Sequence, residues 1–455
     1  MDVKGKKILV VGLGSSGFSS AALLLQKGAK VKVTDASDSE EIKRKSTILR
    51  DKGAHVETGG HTKGFCAGHE LVVMSPGVDR SILSALFEEK KDISVIGEME
   101  LGYLFCKAPI TAITGTNGKT TVTSLMGDII ALSGKHTIVC GNIGNPLAGE
   151  IGGITENSAV VLEVSSFQLE GIRSFRPRTA VLLNVTDDHY DRHGGFRSYK
   201  EHKFSIFSRQ GISDNAVLHS DLRRDPLVRN IKSKIFFYGD SSCRYTADKG
   251  SVIFSHDGKS QTIITDKDTS LRGKHNMENI ACCCQVAEIE GISLSAVKKA
   301  VKNFRGLEHR FQEVGTFGGV VFIDDSKATN VDAAKRALES VDKRVVLIVG
   351  GRDKLGNYGA LVDLVKKKVA ALVVIGEARE RIKRTFSDHA KVYEAGSMEE
   401  AVEISVSAAK KGEAVMLSPM CSSFDMFDSY AHRGRVFRES VRRICVKNGI
   451  GSNEK

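Results

Sequence analysis

The chain has 455 residues, enough for about three domains with separate cores. Its hydrophobic content of 41% and charged content of 27% are typical of a globular protein and exclude a disordered chain, a collagen-like chain and a small disulfide scaffold. The net charge is +11, but basic and acidic residues number 15 and 12 in residues 1–97, 26 and 22 in 98–307, and 25 and 21 in 308–455. Because the excess is spread, we expect a mildly basic exterior and no nucleic-acid surface.

The cysteines and the apolar stretches exclude two further classes. Nine cysteines are an odd number, three of them are consecutive (Cys282 to Cys284), and none forms a paired C-x-x-C ligand set. We therefore expect reduced thiols and no zinc site. Ile8 to Leu25 is uncharged, but three glycines and four serines make it too polar for a membrane helix. No other segment approaches the ~20 apolar residues that such a helix needs, so we expect no membrane insertion.

Short β-branched runs alternate with amphipathic stretches of helical length, which indicates an α/β fold with mainly parallel sheets. The predicted strands, in chain order, are Lys7–Val11, Lys30–Thr34, Leu71–Met74, Ile110–Thr114, Ala159–Glu163, Ala180–Asn184, Val345–Val349, Ala371–Ile375 and Ala414–Leu417. Three domains are predicted, over residues 1–97, 98–307 and 308–455, with a small antiparallel flap between Tyr238 and Leu271. Ligands of such sheets bind at the carboxyl ends of the strands, so function is expected in the turns that follow them.

The first such turn is glycine-rich. Gly12-Leu-Gly14-Ser15-Ser16-Gly17 lies between a predicted strand and a helix that starts near Phe18, and Asp35 ends the next strand. Glycines allow backbone N–H groups at a helix start to approach a diphosphate, and the acid can accept a hydrogen bond from a ribose or base. The residues alone leave open a dinucleotide such as NAD, another phosphate-bearing ligand, or a tight turn without a ligand.

The second turn is a phosphate loop, which predicts an ATP site. Strand Ile110–Thr114 is followed by Gly115, Thr116, Asn117, Gly118, Lys119, Thr120 and Thr121, and then by a helix over Val122–Leu132. In such a loop backbone N–H groups surround the phosphates, the lysine neutralises charge on the transferred group, and the following hydroxyl reaches Mg²⁺. The loop is a variant of G-x-x-x-x-G-K-[ST], because Ile113 stands where the first glycine is usual.

This loop resembles the nucleotide loop of the Mur ligases and of the related folylpolyglutamate synthetases. Further similar motifs follow in the order of that family: Gly141-Asn142-Ile-Gly144, Glu163-Val-Ser165-Ser166-Phe-Gln168-Leu-Glu170, Asn184-Val-Thr-Asp187-Asp188-His189, Tyr199 with Lys203, His275-Asn276 with Asn279, His309-Arg310, Asp325-Ser326-Lys327-Ala-Thr329-Asn330, Gly350-Gly351-Arg-Asp-Lys354 and Ser418-Pro-Met-Cys-Ser422-Ser423-Phe424-Asp425. The resemblance covers essentially the whole chain. It implies an ATP-dependent amide ligase whose N-terminal and C-terminal domains are Rossmann-like and whose central domain is P-loop ATPase-like.

Within the family, the details resemble the member that adds D-glutamate to UDP-N-acetylmuramoyl-L-alanine through an acyl phosphate. This resemblance implies four groups of site residues. It assigns catalysis to Lys119, His189, Lys203 and Lys327. It assigns ATP binding to the phosphate loop together with Asn279, Arg310 and Asp325. It assigns the UDP-substrate to Gly14, Ser15, Ser16, Asp35, Ser75, Gly77, Asn142 and His189, and D-glutamate to Thr329, Lys354, Ser423 and Phe424.

The resemblance also implies two Mg²⁺ ions, held by Thr120, Glu163, His189 and a carbamylated Lys203. The residues make parts of this reasonable. A carboxylate such as Glu163 at the end of a core strand is costly to desolvate unless it holds a metal or a hydrogen-bond donor. Lys203 follows Tyr199 by one helical turn and has the apolar neighbours Phe204 and Ile206, which favour the neutral amine that a carbamate needs.

The implied protein is a cytoplasmic, monomeric enzyme of peptidoglycan precursor synthesis with small-molecule substrates. Two alternatives stay open: a related ligase with another amino acid or a folate acceptor, and an oxidoreductase that uses the first glycine motif. Tyr430 stands where the family usually has Phe, and Ala36 and Ser37 replace a basic residue of some members, so the amino-acid and uracil ends of the two substrate sites are the least defined.

Overall fold

The computed structural model describes residues 1–87, 93–186, 194–271 and 273–447. The described strands are β1 Lys7–Val11, β2 Lys30–Asp35, β3 His55–Thr58, β4 Leu71–Met74, β5 Ser94–Gly97, β6 Ile110–Thr114, β7 Thr137–Gly141, β8 Ala159–Glu163, β9 Thr179–Leu182, β10 Asn215–His219, β11 Lys234–Tyr238, β12 Tyr245–Asp248, β13 Ser251–His256, β14 Lys259–Thr265, β15 Gln312–Phe317, β16 Val320–Asp324, β17 Val345–Gly350, β18 Val369–Ile375, β19 Lys391–Glu394 and β20 Ala414–Leu417.

The described helices alternate with these strands along most of the chain. They are α1 Ser15–Gln26, α2 Glu40–Asp51, α3 Lys63–Cys66, α4 Ile82–Leu86, α5 Glu98–Phe105, α6 Lys119–Ala131, α7 Leu147–Glu150, α8 Ser166–Leu169, α9 Phe196–Phe204, α10 Lys274–Ile289, α11 Leu294–Asn303, α12 Val331–Ser340, α13 Val362–Lys368, α14 Arg379–Phe386, α15 Met398–Ala408 and α16 Tyr430–Lys447. Short 3-10 turns add Ile151–Gly153, Ser205–Phe207, Ser220–Leu222, Pro226–Asn230, Asp266–Asp268 and Tyr358–Leu361.

The chain divides into two compact units. The first comprises Met1–Val185, Lys200–Thr246 and Asn279–Ala300, and the second comprises Thr186–Tyr199, Ala247–Glu278 and Val301–Lys455. The first unit contains two parallel sheets, with strand orders β3-β2-β1-β4-β5 and β11-β10-β9-β6-β8-β7. Their central strands β1, β6 and β8 are almost wholly buried, which explains their continuous apolar sequence.

The second unit contains a mixed sheet with the order β15-β16-β20-β17-β18-β19. Strand β15 pairs antiparallel with β16, and the remaining pairs are parallel. Two apolar clusters cover its faces, one around Leu347 and Phe386 and the other around Val415 and Phe437. The result is a Rossmann-like sheet with one antiparallel edge.

The predicted fold class is confirmed: the chain is α/β, with parallel sheets in its N-terminal and central parts. Each of the three predicted domains contains one of these larger sheets, while the boundaries at 97 and 307 stay predictions. All nine predicted strands are present within a few residues. The predicted flap corresponds to a three-stranded sheet, β12-β13-β14, in which β13 and β14 are antiparallel.

Two helices start earlier than predicted. Helix α1 begins at Ser15 and α6 at Lys119, because in both cases the glycine loop leads directly into the first helical turn. No helix in the described ranges is both long enough and apolar enough to cross a membrane.

Candidate active site

The phosphate loop links the buried strand β6 to helix α6 in the first unit. Gly118 is the residue before the helix and has φ +87°, a left-handed backbone conformation that residues with a side chain rarely adopt. A Cβ atom at this position would lie 2.5 Å from Oδ1 of Asn279. Glycine is therefore required here on two grounds, and the loop passes directly beside Asn279, which the family resemblance assigns to ATP.

An asparagine at the end of the neighbouring strand holds the loop in place. The backbone N–H of Asn117 donates to Oδ1 of Asn184 at 2.8 Å, and Nδ2 of Asn184 donates to the carbonyl of Asn117 at 3.0 Å. The N–H of Thr116 donates to the Asn184 carbonyl at 2.9 Å. These three hydrogen bonds tie the phosphate loop to Asn184, which follows β9.

Two lysine ammonium groups converge on one carbonyl of this loop. Nζ of Lys119 donates to the carbonyls of Gly115 and Thr116 at 2.8 and 2.9 Å. Nζ of Lys203, a side chain that is only 1% exposed, donates to the same Gly115 carbonyl at 2.8 Å. The structure thus brings the two predicted catalytic lysines of the first unit together, 84 positions apart in sequence.

A buried carboxylate lies at the end of β8, the strand beside β6. Glu163 is 1% exposed, and its Oε1 accepts a hydrogen bond of 2.7 Å from Nδ2 of Asn142. Its Oε2 is buried and has no hydrogen-bond partner in the described part of the chain. Register pairs Glu163 with Ile113, two residues before Gly115, so the carboxylate lies at the loop edge of the sheet.

This orphaned oxygen is what a divalent cation would require. An unpaired buried carboxylate oxygen is unfavourable, and Mg²⁺ prefers oxygen ligands of this type. Thr120, in the first turn of α6, supplies a hydroxyl at the same loop. His189, predicted as a metal, substrate and catalytic residue, lies outside the described residues, as do Asp187 and Asp188; within the described ranges no group of three or more His, Cys, Asp or Glu side chains forms a metal cluster.

The glycine-rich turn after β1 has the close packing that its sequence predicts. A Cβ atom on Gly17 would lie 1.7 Å from the carbonyl oxygen of Gly12, so α1 packs on the turn only because this residue is glycine. Gly14 and Ser15 are exposed at the start of α1, and Ser16 is half-buried. The start of α1 is therefore accessible to a ligand, as diphosphate binding at a helix N-terminus requires.

Asp35 has a role in this turn that the sequence did not indicate. Its Oδ2 accepts from the N–H of Leu13 at 2.5 Å, and its Oδ1 accepts from the N–H of Ser37 at 2.8 Å. The carboxylate thus holds the glycine turn directly. Ser75 and Gly77 follow β4, the strand that pairs with β1. The Ser75 hydroxyl donates to the Gly12 carbonyl at 3.1 Å, and Gly77 is exposed.

The second unit brings together the residues after β16. Asp325 is buried; its Oδ2 accepts from the Ser418 hydroxyl at 2.9 Å and its Oδ1 from the N–H of Phe311 at 3.1 Å. Burial raises the pKa of this carboxyl group to about 7. Arg310, which lies in the adjacent turn and is half-buried, partly offsets that rise through its positive charge.

Lys327 lies two residues after Asp325, with its ammonium 3.8 Å from the centre of the Tyr430 ring. An ammonium over an aromatic face is a cation–π contact, which orients the lysine without neutralising it. Tyr430, which departs from the family's usual Phe, is therefore a contact of Lys327.

The predicted D-glutamate residues lie on three turns of this sheet. Thr329 is half-buried just before α12, Lys354 is half-buried after β17, and Ser423 is 2% exposed after β20. Phe424 is 65% exposed, which is unusual for a large apolar side chain. The backbone joins two of these turns, because the N–H of Arg352 donates to the Ser422 carbonyl at 2.9 Å.

Sequence reasoning missed a buried arginine that connects two of these turns. Arg433 is 0% exposed and makes five hydrogen bonds, to the hydroxyl and carbonyl of Ser326 and to the carbonyls of Cys421 and Ser422. Burial lowers the pKa of the guanidinium to about 10. Nothing in the local pattern of α16 marks it, since its partners lie 11 or more positions away.

Comparison with known proteins gives a consistent family. The family models for the MurD-like N-terminal domain, the Mur ligase middle domain and the glutamate ligase domain match residues 6–97, 113–287 and 309–421. A UDP-N-acetylmuramoylalanine–D-glutamate ligase of Geotalea daltonii is 42% identical over 452 residues, which cover 98% of this chain and 99% of that protein. The ligase of the same name from Koribacter versatilis is 41% identical over 454 residues, with coverage of 98% and 99%.

Solved structures share the fold at low sequence identity. The MurF ligase of Thermotoga maritima in complex with ADP has a TM-score of 0.63 and 16% identity, and covers 98% of this chain and 99% of its own. A pseudomurein peptide ligase type C from Methanothermus fervidus has a TM-score of 0.62 and 18% identity, with coverage of 97% and 100%. With three matching family models and relatives above 40% identity along its whole length, the chain belongs to the Mur ligase family.

Proposed function

We propose that the protein is an ATP-dependent ligase that joins D-glutamate to UDP-N-acetylmuramoyl-L-alanine, a step of peptidoglycan precursor synthesis. The observation that carries this proposal is the arrangement in the first unit: a fixed phosphate loop, Lys119 on that loop, and the buried Glu163 with an orphaned oxygen beside it. The similarity to ligases of that name over the full length supports the choice of substrates.

In the proposed reaction the alanyl carboxylate attacks the γ-phosphorus of ATP, and the bond to the β–γ bridging oxygen breaks, so that ADP leaves and an acyl phosphate forms. The amine of D-glutamate then attacks the acyl carbon, loses a proton, and phosphate leaves as the amide forms. Lys119 neutralises the charge that builds up on the transferred phosphoryl group. Its present bonds to two loop carbonyls place its ammonium at the phosphate-binding loop.

Mg²⁺, when bound, would neutralise phosphate charge, and Glu163 and Thr120 would hold it. Glu163 is preset for this role, because Asn142 orients one carboxylate oxygen and leaves the other unpartnered among the described groups. Lys203 is proposed as a carbamate that assists metal binding, formed when its neutral amine adds CO₂ and releases a proton. Its burial supports this step, since desolvation disfavours the ammonium.

The second unit is proposed to bind the amino acid. The Lys354 ammonium suits a carboxylate of D-glutamate, and Thr329 and Ser423 supply hydroxyl groups. Arg310 and Asp325 are proposed to bind ATP, and Lys327 is proposed to act in catalysis. In the first unit, the phosphate loop and Asn279 are proposed to bind ATP. Gly14, Ser15, Ser16, Asp35, Ser75, Gly77 and Asn142 are proposed for the UDP substrate, in which Asp35 acts by shaping the glycine turn.

The test is a coupled ADP-release assay with UDP-N-acetylmuramoyl-L-alanine and a panel of D-glutamate, L-glutamate, lysine and diaminopimelate. Of the four amino acids, we expect only D-glutamate to support turnover, and we expect Lys119→Ala to lower the turnover rate by several orders of magnitude. Lys135→Ala, at an exposed position, is the matched control. Near-normal turnover in Lys119→Ala, or stabilisation by NADH in place of the UDP substrate, would contradict the proposal. A cytoplasmic location and a monomeric state are predictions from the family resemblance.

A further inference from the structure

The turn that carries Lys354 is organised around the carboxylate that precedes it. Oδ1 of Asp353 accepts from the N–H of Leu355 at 2.8 Å and from the Tyr358 hydroxyl at 2.9 Å. Nη1 of Arg381 donates to both carboxylate oxygens, at 3.0 and 2.9 Å. Since the carboxylate belongs to the residue before Lys354 and bonds to the residue after it, the backbone of Lys354 is enclosed by this turn.

Leu355 shows that the turn is held against its own preference. It has φ +58°, a left-handed conformation that is energetically costly for a residue with a side chain. The side chain is also 69% exposed, so apolar burial does not repay that cost. Such strain persists where surrounding contacts over-determine the backbone, and it occurs preferentially at ligand-binding sites.

The same carboxylate connects two of the three turns that carry the proposed amino-acid residues. The hydroxyl of Tyr358 lies 3.2 Å from Sγ of Cys421, two positions before Ser423. Arg381, on helix α14, adds an anchor from outside the turns: its Nη2 donates to the Gly356 carbonyl at 2.8 Å and its guanidinium lies 4.9 Å from the centre of the Tyr358 ring. Displacing Asp353 would therefore disturb the turn of Lys354 and its link to the turn of Ser423.

We propose that Asp353 is a positioning residue for the amino-acid substrate, which fixes the backbone of Lys354 and couples it to the turn of Ser423. The inference rests on the proposed function, in which Lys354 and Ser423 bind D-glutamate. Asp353 acts through Lys354, because its own carboxylate oxygens already accept hydrogen bonds from the three side-chain and backbone groups around it.

The test measures KM for each substrate in Asp353→Ala. We expect KM for D-glutamate to rise on the order of tenfold, as for a weakened hydrogen bond to a charged ligand. KM for ATP and for the UDP substrate should stay within about twofold of wild type, and kcat should fall less than KM rises. Asp353→Asn, which keeps an acceptor oxygen for Leu355, should show a smaller rise. Asp388→Ala, at an exposed turn, is the matched control.

A second substitution separates positioning from general damage. Glycine adopts φ +58° without strain. Adding Leu355→Gly to Asp353→Ala should therefore lower KM for D-glutamate at least threefold relative to Asp353→Ala alone. Should Asp353→Ala fail to fold, Arg381→Met removes the outer anchor at a partly exposed side chain and should raise the same KM by a smaller factor.

The outcomes are distinguishable from failure of the proposed function. If wild-type protein releases ADP without dependence on D-glutamate, the proposed function is wrong. If wild type depends on D-glutamate but neither Asp353→Ala nor Arg381→Met changes its KM, the positioning role is wrong. An equal rise in KM for all three substrates, or no recovery by Leu355→Gly, would also overturn it.

Discussion

Replacing Glu163 by Gln should stabilise the protein without metal and weaken its stabilisation by metal. The side chain is 1% exposed and keeps one carboxylate oxygen without a donor among the residues described. An unsatisfied buried group costs about 1–3 kcal/mol, and more when it is charged. The neutral amide has the same shape, and its remaining oxygen still accepts from Asn142. We expect the free energy of unfolding in EDTA to rise by about 1 kcal/mol.

The metal-bound state should show the opposite order. At a free concentration of Mg²⁺ and nonhydrolysable ATP analogue near 100 times the dissociation constant, wild type gains about 2.7 kcal/mol from ligand binding. Glu163→Gln lacks a charged ligand for the cation, so we expect its gain to fall below about 1 kcal/mol. The two proteins would thus exchange rank between the two conditions.

The assay is thermal or urea unfolding at pH 8, with EDTA and with Mg²⁺ and the analogue. Glu98→Gln is a matched control, because Glu98 is likewise 1% exposed, accepts one hydrogen bond, from the N–H of Ala148, and has a second oxygen without a described partner. It should be stabilised in EDTA but keep the full response to Mg²⁺. Equal responses of Glu163→Gln and wild type would refute metal ligation by Glu163, and a large loss of stability in EDTA would refute the unsatisfied oxygen.

Three further results are expected. Burial raises the pKa of Glu98 from its ordinary 4.5 to about 7, so between these pH values the folded protein keeps a proton that the unfolded chain has lost, and its stability falls as pH rises. In urea unfolding, the stability difference between Glu98→Gln and wild type should therefore grow by up to about 3 kcal/mol from pH 4.5 to 8. A difference that stays constant with pH would contradict this. Asn184→Ala loses both side-chain bonds to Asn117, which should raise KM for ATP about tenfold in the ADP-release assay, and an unchanged KM would show that the loop is fixed by other contacts. Arg433→Met leaves three carbonyls without their donor and should lower the free energy of unfolding of the second unit by roughly 3–5 kcal/mol in urea, with Arg433→Lys intermediate; stability equal to wild type would refute this role.

The sequence by itself determined the elements and the chemistry that depends on adjacent residues. β-branched runs predicted β1, β4, β6, β8 and β20 with their observed bounds, because a strand buried on both faces must be apolar throughout. The phosphate loop and its lysine were equally readable, since glycine spacing and a following helix lie within a dozen positions. Local constraints of this kind leave a local pattern.

Tertiary structure alone decided the contacts that hold these loops in place. Asn184 supports Asn117 from 67 positions away, and Arg433 reaches Ser326 across 107 positions. The carboxylate of Asp35 accepts from the N–H of Leu13 in the glycine turn, 22 positions earlier. No periodicity or motif records such pairs, because a hydrogen bond requires only that two groups meet in space. The chain therefore specifies its phosphate loop locally, and it fixes the geometry of that loop only once the sheets have folded.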